Sequence, residues 1–357
     1  MSAGSVKVEF YPPTFAIEIN GSEIDPEALF AIRSIEVQQE INKANSFHFA
    51  VQDEWRGGQF KWLGDPLFKV GNDVRVGFGY AGDEVVLAEG RIQNINAEFP
   101  ESGHPSFTVE GSDGAYQFLT VPSEMKLFRD KSHSDIAREV ARMAEMEADV
   151  EDTEGTSAVK TKKGGQSYLD FLRDLGKEIG YEVQLSGSSL VFQHRRYTEE
   201  SRLTLAWGKN LISFKPNLNT AQAVTEVVVR GWDKHAKRAI EVRARPGDET
   251  PQESGRRLSS EIAREIYGDV VRVITDQPVS SVADARRIAK AELERIAEQL
   301  IRGTAVTVGL PELQPGVCVE LEDLGDWFSG KYYLEKATHR LDESGYRTMF
   351  EARRNGL

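Results

Sequence analysis

The sequence predicts an α+β protein that is mainly β. It has two antiparallel β-barrel domains, a small α+β module inserted between them and a long amphipathic helix packed on the second barrel. Apolar and polar residues alternate over short segments at both ends of the chain, and the period becomes helical in the middle. A similar succession of strands also occurs near each end. The expected division is a first barrel over 1–120, the module over 121–200 and a second barrel over 201–357, with a helical excursion at about 255–302.

The first barrel is predicted from strands that begin near residue 5. Phe15–Ile19 and the segment after Ile24 flank Asn20-Gly21, a dipeptide typical of tight β-hairpin turns. The segments that follow largely alternate apolar with polar residues, as strands with one buried face do. They are Ile32–Val37, Ser46–Val51, Asp73–Phe78, Val85–Glu89, Arg91–Ile95 and Ser106–Glu110.

The middle of the chain is predicted to hold two helices and a hairpin. Ser132–Asp135 and Ser167–Asp170 are capping-box patterns, each followed by apolar residues at helical spacing. Gly180 ends the second helix in the left-handed position that favours glycine. Lys160–Gly165, rich in lysine and glycine, is expected to be a loop between the two helices. The hairpin consists of Tyr181–Leu185 and Leu190–Gln193.

The last part of the chain returns to strands around two helices. One helix is expected near Ser259–Tyr267, and a longer one from Ser281 to Arg302 is closed by Gly303. The longer helix has one apolar stripe, and its other face is dense in Arg, Lys and Glu, so we expect that face to meet water. The predicted strands are Leu203–Leu205, Leu211–Phe214, Val224–Arg230, Ala239–Val242, Val317–Leu321, Gly330–Leu341 and Gly345–Arg354.

The two ends of the chain repeat one strand pattern. In each copy a turn leads into a strand, a strand led by glycine follows, and a closing strand comes at similar spacing. The first copy consists of Val70–Val76, Gly90–Ile95 and Phe107–Gly111, and the second of Gln314–Leu321, Gly330–Glu335 and Thr348–Ala352. The match is one of pattern rather than identity. It favours duplicated barrels, with a chance likeness between two β meanders as the alternative.

Composition restricts the classes of function. A net charge of −13 argues against general nucleic-acid binding, which needs clustered Lys and Arg. The single cysteine, Cys318, excludes an intramolecular disulfide and lies in an alternating strand pattern, not in an activated setting. The N-terminus lacks the apolar region of a secretory signal, and no apolar run reaches membrane-spanning length. We therefore expect the chain to be made and folded in a cytosol.

No motif predicts an enzyme, a cofactor or a metal. Gly77–Gly82 spells Gly-x-Gly-x-x-Gly, but another strand follows it instead of a helix, so a hairpin is the better interpretation. The histidines do not have metal-binding spacing, and His48 and His339 are interpreted as structural. We therefore predict no catalytic, cofactor-binding or metal-binding residue. The six histidines are His48, His104, His133, His194, His235 and His339.

These segments together resemble the phage late-control D family of contractile-tail hub proteins, which is related to the N-terminal part of the type VI secretion spike protein VgrG. The resemblance covers nearly the whole chain and is most specific at its end. It rests on the helix from Ser281 to Arg302, on Gly309–Gly316, Gly330–Tyr333, Ala337–His339 and Gly345-Tyr346, and in the module on Ser134–Ala137, Gln166–Leu172 and Gly180-Tyr181.

The resemblance implies two tube-like barrels and a homotrimer. Three chains with two barrels each would form a pseudo-sixfold ring that joins a hexameric tail-tube ring to a trimeric spike protein. Other baseplate components are implied as partners, with tape-measure protein or cargo in the channel. Unlike VgrG, the chain stops at Leu357, so the spike is expected to be a separate polypeptide. Assembly is expected in the cytoplasm of a bacterial host or producer, before the chain joins a phage tail or injection particle.

Two other classes of function remain open from the residues alone. The first is a cytoplasmic multidomain hydrolase whose paired carboxylates converge in a cleft, which would show as a pocket with two acids of divergent pKa. The second is a carbohydrate- or protein-binding β module with an exposed aromatic platform. Its candidate residues, all in or near predicted loops, are Trp55, Trp62, Trp232 and Trp327.

Overall fold

A computed structural model describes residues 12–233, 236–279 and 281–357. The predictions for the first eleven residues and for His235 therefore lie outside the described residues. The fold is mainly β, as predicted, and its largest element is a 13-stranded sheet that runs through both ends of the chain.

The N-terminal region begins with a hairpin at the predicted Asn20-Gly21 turn. Its second strand is Ser22–Glu23, and the segment after Ile24, expected to be a strand, forms a short helix instead, because Asp25 caps it and Pro26 follows in its first turn. Asn20 and Gly21 have φ of 53° and 76°, which lets the chain reverse within two residues. The helix is capped by Asp25, whose side chain accepts from Glu27 N. The elements are β1 (Pro13–Ile19), β2 (Ser22–Glu23), α1 (Pro26–Ala31), β3 (Ile32–Glu40), β4 (Ser46–Gln52), β5 (Trp55–Arg56), β6 (Gln59–Phe60), a 3₁₀ turn (Pro66–Phe68), β7 (Asp73–Tyr80), β8 (Asp83–Glu98) and β9 (Ser106–Asp113).

The middle module contains both predicted helices. Ser132 and Asp135 form the capping box, Ser167 caps the second helix, and Gly180 ends that helix at φ 76°. The elements are α2 (Tyr116–Thr120), β10 (Lys126–Lys131), α3 (His133–Met143), β11 (Glu147–Val150), β12 (Ser157–Lys162), α4 (Tyr168–Ile179), β13 (Tyr181–Ser186) and β14 (Ser189–His194).

The C-terminal region alternates long strands with an inserted unit. The insertion, residues 224–297, has its own small sheet and its own apolar core against the long helix. The elements are β15 (Leu203–Ala206), β16 (Leu211–Leu218), β17 (Glu226–Asp233), β18 (Arg238–Ala244), α5 (Ser259–Tyr267), β19 (Val271–Ile274), α6 (Val282–Ala297), β20 (Ile301–Val308), β21 (Cys318–Glu322), α7 (Gly325–Phe328), β22 (Gly330–Asp342) and β23 (Gly345–Arg354).

The large sheet contains the same six-strand arrangement twice. We call β1, β3, β4, β7, β8 and β9 the first set, and β15, β16, β20, β21, β22 and β23 the second set. Neighbouring strands run in the order β1-β7-β8-β9-β4-β3 in the first set and β15-β21-β22-β23-β20-β16 in the second. When each set is numbered along the chain, both orders read 1-4-5-6-3-2. The first pair differs, because β1 and β7 are antiparallel whereas β15 and β21 are parallel.

Irregularities in register place the two sets in a residue-by-residue correspondence. The β8·β9 ladder shifts between Ile92 and Asn94, and the β22·β23 ladder shifts between Leu334 and Lys336. The β3·β4 and β16·β20 ladders shift at equivalent points, after Ile32 and after Leu211 respectively. Bulges are specific features of a strand pair. Their coincidence therefore indicates that the repeat is a true structural one.

The turns before β7 and β21 match as well. Gly71 and Gly316 both have positive φ, 96° and 87°. Gly71 N donates to Ile92 O at 2.8 Å, and Gly316 N donates to Leu334 O at 2.9 Å. The sequence alignment of Val70–Val76 with Gln314–Leu321 and of Phe107–Gly111 with Thr348–Ala352 agrees with this correspondence. The glycine-led strands align two residues differently, because Gly90 is equivalent to Tyr332.

The two sets join edge to edge through β3 and β22. This antiparallel ladder runs from Lys336 opposite Glu40 to Leu341 opposite Ile35. Strand β22 thereby uses one edge for β23 and divides the other between β21 and β3. Among the described residues no ladder links β1 to β3, or β15 to β16, so neither set closes on itself. The result is one open sheet through both halves of the chain.

Several further predicted elements differ in the structure. Val85–Glu89 and Arg91–Ile95 belong to one strand, β8, because the backbone around Gly90 continues without a turn. A Cβ at Gly90 would lie 2.0 Å from Ser112 O, so glycine is needed for close strand approach. The predicted loop Lys160–Gly165 is wrong in its first half, since Lys160–Lys162 pair with β10.

The long helix ends earlier than predicted. α6 stops at Ala297, and Gly303 lies inside β20, where it pairs with Ala352. Residues from Ile301 onward form a strand instead of continuing the helix, because β20 pairs with β16 on one edge and with β23 on the other. The apolar face of α6 packs on β17 and β18 of the inserted unit. Its charged face does not meet water throughout, since Glu294 and Glu298 are 2% and 3% exposed.

Candidate functional site

The glycine-rich motif that resembles a dinucleotide fingerprint is a hairpin, as the sequence predicts. Gly77–Gly82 spans the end of β7 and the turn into β8, and Ala81 and Gly82 have φ of 55° and 88°. A Cβ at Gly79 would lie 2.0 Å from Asp83 O on the facing strand. The glycines therefore serve strand approach and the turn, and no helix N-terminus is present to bind a phosphate.

His339 is a structural residue, in agreement with the sequence interpretation. Its ring is fully buried between the two sets, with Nδ1 2.9 Å from the Tyr346 hydroxyl and Nε2 3.0 Å from Leu313 O. Burial lowers the pKa of His339 to about 4, although the contact with Leu313 O opposes this. The imidazole is thus neutral near pH 7 and holds the junction together.

The other predicted structural features also lie in packed positions. His48 is half-buried on the opposite face of β4 from Phe47 and Phe49. Cys318 is 2% exposed, and burial raises its thiol pKa to about 11, so it is not an activated nucleophile. His133 was not singled out from sequence, and it is buried with Nε2 3.1 Å from Glu178.

Two acids, Asp73 on β7 and Glu89 on β8, form ion pairs instead of an acid/base pair. They line a groove against the middle module. Asp73 accepts from Arg91 Nε at 2.7 Å, and Glu89 accepts from Arg75 Nε at 2.7 Å. Hydrogen bonding to these carboxylates raises the pKa of both guanidinium groups. Each carboxylate has its own cation, which is unlike the cleft expected for a hydrolase.

Two buried acids have raised pKa values, and both are held in packed surroundings. Burial raises the pKa of Asp113 to about 7, while the bond from Asn45 N at 2.6 Å opposes the shift. Burial likewise raises the pKa of Glu249, which accepts from the backbone and hydroxyl of Ser260. Asp113 supports the turn where the middle module docks, because Asn45 Nδ2 also donates to Leu185 O at 2.6 Å.

The candidate tryptophans do not form an aromatic platform. Trp62 is 8% exposed and packs edge-on against Phe68. Trp55, Trp232 and Trp327 are exposed, but they lie on β5, β17 and α7, and no described ring contact joins two of them. Trp207, at 59% exposure, is a further exposed tryptophan that the sequence interpretation did not single out.

The junction between the two sets is held by aromatic packing, a side-chain hydrogen bond and a close approach at one glycine. Tyr346 stacks on Phe78 with ring centroids 5.1 Å apart, so an aromatic residue of β23 packs on β7 of the first set. The Tyr80 hydroxyl donates to Gly309 O at 2.8 Å. A Cβ at Gly309 would lie 2.0 Å from the Tyr346 ring. This packing, with the β3·β22 ladder, holds both sets in a fixed relation.

A buried charge network joins the second set to the middle module and to α6. We call Glu182, Arg195, Glu298, Tyr333 and Arg353 the buried network. Arg353 pairs with Glu182 and lies 3.3 Å from Glu298, Arg195 lies 2.9 Å from Glu298, and the Tyr333 hydroxyl donates to Glu182 at 2.7 Å. All five residues are at most 8% exposed.

The charges in this network stabilise one another. Burial alone would lower the pKa of Arg353, but the carboxylates of Glu298, Glu182 and Glu335 raise it well above its ordinary value. Burial, and then contact with Glu182, raise the pKa of Tyr333. Sequence could not reveal this site, because its members come from β13, β22, β23, the segment after β14 and the end of α6. Chemically it fixes the relative positions of three parts of the chain.

Within the residues that the structure describes, no group of three or more His, Cys, Asp or Glu side chains could hold a metal ion. No helix in those residues has the length and apolar character needed to cross a membrane.

Solved structures that are similar to this chain include tail proteins and a secretion-system component. A tail protein from Neisseria meningitidis MC58 is 14% identical with a TM-score of 0.70, and 97% of this chain and 98% of that chain are covered. The 43 kDa tail protein of prophage MuSo2 from Shewanella oneidensis is 15% identical with a TM-score of 0.71, covering 96% and 98%. At such identities the likeness establishes the fold.

A third similar structure comes from Escherichia coli. It is described as a component of the type VI secretion system with structural similarity to the T4 bacteriophage tail proteins gp27 and gp5. It is 11% identical with a TM-score of 0.60, and 96% of this chain and 78% of that chain are covered. None of these three descriptions names an enzymatic activity.

No curated protein matches the sequence. One family model does, and it is described as the Alg8 N-terminal domain. The narrower resemblance to the late-control D family stays a prediction, because the matching family is a different one. Since the model matches residues 11–343, well over half of the sequence, this chain belongs to the Alg8 N-terminal domain family.

Proposed function

We propose that this chain is the baseplate hub of a contractile injection system, such as a phage tail or tailocin. In this proposal three copies form a pseudo-sixfold ring. One side of the ring contacts the hexameric tail-tube ring and the other contacts a trimeric spike protein, with further baseplate components around it. Its role is structural, and the channel passes cargo or tape-measure protein.

The in-register duplication carries this proposal. A chain with two equivalent six-strand sets presents two similar surfaces, so three chains present six. A ring of this kind meets a sixfold partner on one side and a threefold partner on the other, since a closed cyclic assembly repeats the same patches around its axis. Similar tail and type VI secretion proteins support the same assignment.

The proposal includes the division into three domains, at 1–120, 121–200 and 201–357, and assembly in a bacterial cytoplasm before incorporation into a particle. The buried network supports a rigid hub, because it fixes the module and α6 against β22 and β23. A rigid subunit suits a part that must transmit load between tube and spike without changing shape.

Native mass spectrometry with negative-stain imaging, with and without the candidate spike protein, tests the proposal. The expected result is a trimer with a central hole, formed alone or on addition of the spike. A compact monomer that binds neither spike nor tube protein would contradict it. A hydrolase would then become the leading alternative, and enzymatic assays would be the next step.

A further inference from the structure

The open strand edges of the large sheet, among the described residues, include those of β16 and of the end of β8. Strand β16 ends the sheet and pairs only with β20. Strand β8 pairs with β7 as far as Arg91, and Ile92 still bonds to Gly71 and Asn72 in the turn before β7. Beyond Ile92 the same edge is open along residues 93–98, while its other edge binds β9. Unpaired edges expose backbone donors and acceptors and are ready to pair with another strand.

The internal repeat identifies what each open edge is equivalent to. β16 is the counterpart of β3, and β8 is the counterpart of β22. Within the chain, β3 pairs with the stretch of β22 that lies beyond β21. The open stretch of β8 lies beyond β7 in the same way. The two open edges are therefore the counterparts of the two edges that already join the halves of one chain.

We propose that β16 of one copy pairs with residues 93–98 of β8 in a neighbouring copy, in the register of the internal β3·β22 ladder. This inference rests on the proposed function, because it gives the ring a specific subunit contact. The contact is heterologous, with different edges on the two sides. Such contacts form closed rings when the rotation between copies closes.

Apolar residues support this pairing. In the internal ladder the core-facing positions are buried, at Ile35, Val37 and Gln39 on β3 and at Ala337 and His339 on β22. The equivalent positions on the open edges are apolar but at least partly exposed, and Phe99 is 61% exposed. Pairing of two copies would bury them. They are Ile95, Ala97 and Phe99 beside β8, and Phe214, Pro216 and Leu218 on β16.

Charge is complementary at one position of the ladder. In the internal ladder Arg340 lies opposite Glu36, with their charged groups 3.9 Å apart. Their counterparts are Glu98 on β8 and Lys215 on β16, so the pair reappears with its signs exchanged. Opposite charges across a strand pair favour this register over one displaced by a residue.

Pro216 changes the ladder at one position. The internal bond from Ile41 N to Glu335 O, at 2.9 Å, shows that the backbone N–H and C=O groups of odd-numbered residues in β3 point towards β22. Pro216 is the counterpart of Val37, so its missing N–H removes one donor from the proposed ladder. Its carbonyl still accepts, and proline is found on edge strands in this orientation. The ladder between copies thus has one hydrogen bond fewer than the internal one.

Cysteine cross-linking tests the register. The pair formed by Gln38 and Thr338 alternates with the hydrogen-bonded pairs, and such positions bring Cα atoms close enough for a disulfide. Its counterpart between copies is Asn217 with Asn96. The N96C/N217C double variant should form covalent dimers and closed trimers on mild oxidation. N96C mixed with N217C should give only dimers, and native Cys318 is too buried to interfere.

Two further double variants serve as controls. Q38C/T338C should cross-link within one chain and leave the covalent size unchanged, which checks the correspondence itself. N94C/N217C is two residues out of the proposed register and should cross-link poorly. Preferential cross-linking of N94C with N217C would overturn the register.

Charge reversal provides a measurement that does not depend on cysteine. Glu98→Lys and Lys215→Glu should each weaken trimer formation by at least about tenfold in native mass spectrometry, since like charges then oppose one another. The double reversal should restore trimers. If trimers form but neither cross-linking nor charge reversal behaves in this way, this inference fails and the proposed hub survives. A chain that stays monomeric with and without the spike, and does not cross-link, overturns both.

Discussion

Strands β3 and β4 of the first set are joined by the short turn 41–45, whereas their counterparts β16 and β20 are separated by residues 219–300. The short turn binds the middle module, since Asn42 N donates to Val183 O at 2.7 Å. The long insertion folds into a unit of its own, which contacts the same module through α6 and α4. One strand frame thus accepts two different connections at the same point.

The equivalent strands β22 and β8 also differ in whether their second edge is paired. In the second set β22 pairs with β3, while in the first set the equivalent stretch of β8 is open among the described residues. The packing around equivalent residues has diverged as well, since the position of the buried Arg353 is held in the first set by Ser112. Strand order and register are therefore retained where side chains have changed.

Arg353→Met should have the largest effect on stability. It would remove the cation that pairs with Glu182 and would leave Arg195 as the one described cation of the buried network beside both Glu182 and Glu298, and breaking a buried ion pair costs about 3–5 kcal/mol. Urea denaturation would give the change in the free energy of unfolding. The control is Ser112→Ala at the equivalent position, where the hydroxyl has no partner and a change below about 1 kcal/mol is expected. Equal losses in the two variants would contradict the distinction between the sets.

His339→Gln should change how stability depends on pH. Burial lowers the pKa of His339 from 6.5 to about 4, so between these values the unfolded chain binds the proton that the folded chain excludes. Native stability is therefore lost as pH falls through this range, by on the order of 3 kcal/mol. The equivalent residue, Ala97, contributes no such dependence.

Asp113 has the opposite effect on how stability depends on pH. Between the pKa of Asp113 in the unfolded chain and its raised pKa of about 7 in the folded protein, the folded state retains a proton that the unfolded state loses. Stability is therefore lost as pH rises through this range. Both proteins contain Asp113, so its contribution cancels when they are compared. The measurement is therefore the difference in unfolding free energy between the native protein and His339→Gln, in buffers at about pH 7, 5.5 and 4. A difference that does not vary with pH would show that His339 titrates normally.

Gly111→Ala should destabilise the first set by about 1–3 kcal/mol, since a Cβ there would lie 2.3 Å from both Arg91 O and the Phe47 ring. The equivalent residue in the second set is Ala352, which packs beside Gly303 instead of an aromatic residue. Ala352→Gly removes one buried methyl and is expected to cost about 1 kcal/mol. Differential scanning calorimetry of both variants checks the ranking, and a tolerated Gly111→Ala would contradict the close packing.

Arg340→Gln should have the smallest effect. Arg340 is half-exposed and 3.9 Å from Glu36, and exposed pairs contribute between about 0 and 1 kcal/mol. Arg340 also lies 2.9 Å from Asp342 on the same strand. A larger loss in urea denaturation than that of Asp342→Asn would therefore mean that the internal junction depends on the ion pair with Glu36. In that case we would expect its proposed counterpart, Glu98 with Lys215, to make a larger contribution to the free energy of subunit association.

Much of the local structure could be predicted from neighbouring residues. Asn20-Gly21 predicted its hairpin, Ser132 and Ser167 predicted helix starts, and Gly180 predicted a helix end, because each signal acts through hydrogen bonds within a few residues. The continuous strand β8 was divided because Gly90 suggests a break by itself, whereas its role is to let Ser112 approach from the facing strand.

Residues that are close together in the sequence specify the class of the fold, the succession of most of its elements and the repetition of one strand pattern, since alternation and capping are local properties of the chain. Only the tertiary structure decided that β3 pairs with β22, that α6 ends at Ala297 and that Glu298 is buried beside Arg195. These outcomes depend on partners more than a hundred residues away or on competition for a strand edge. The hydrophobic pattern within a segment shows which of its faces is buried, but it does not specify which distant segment packs on that face.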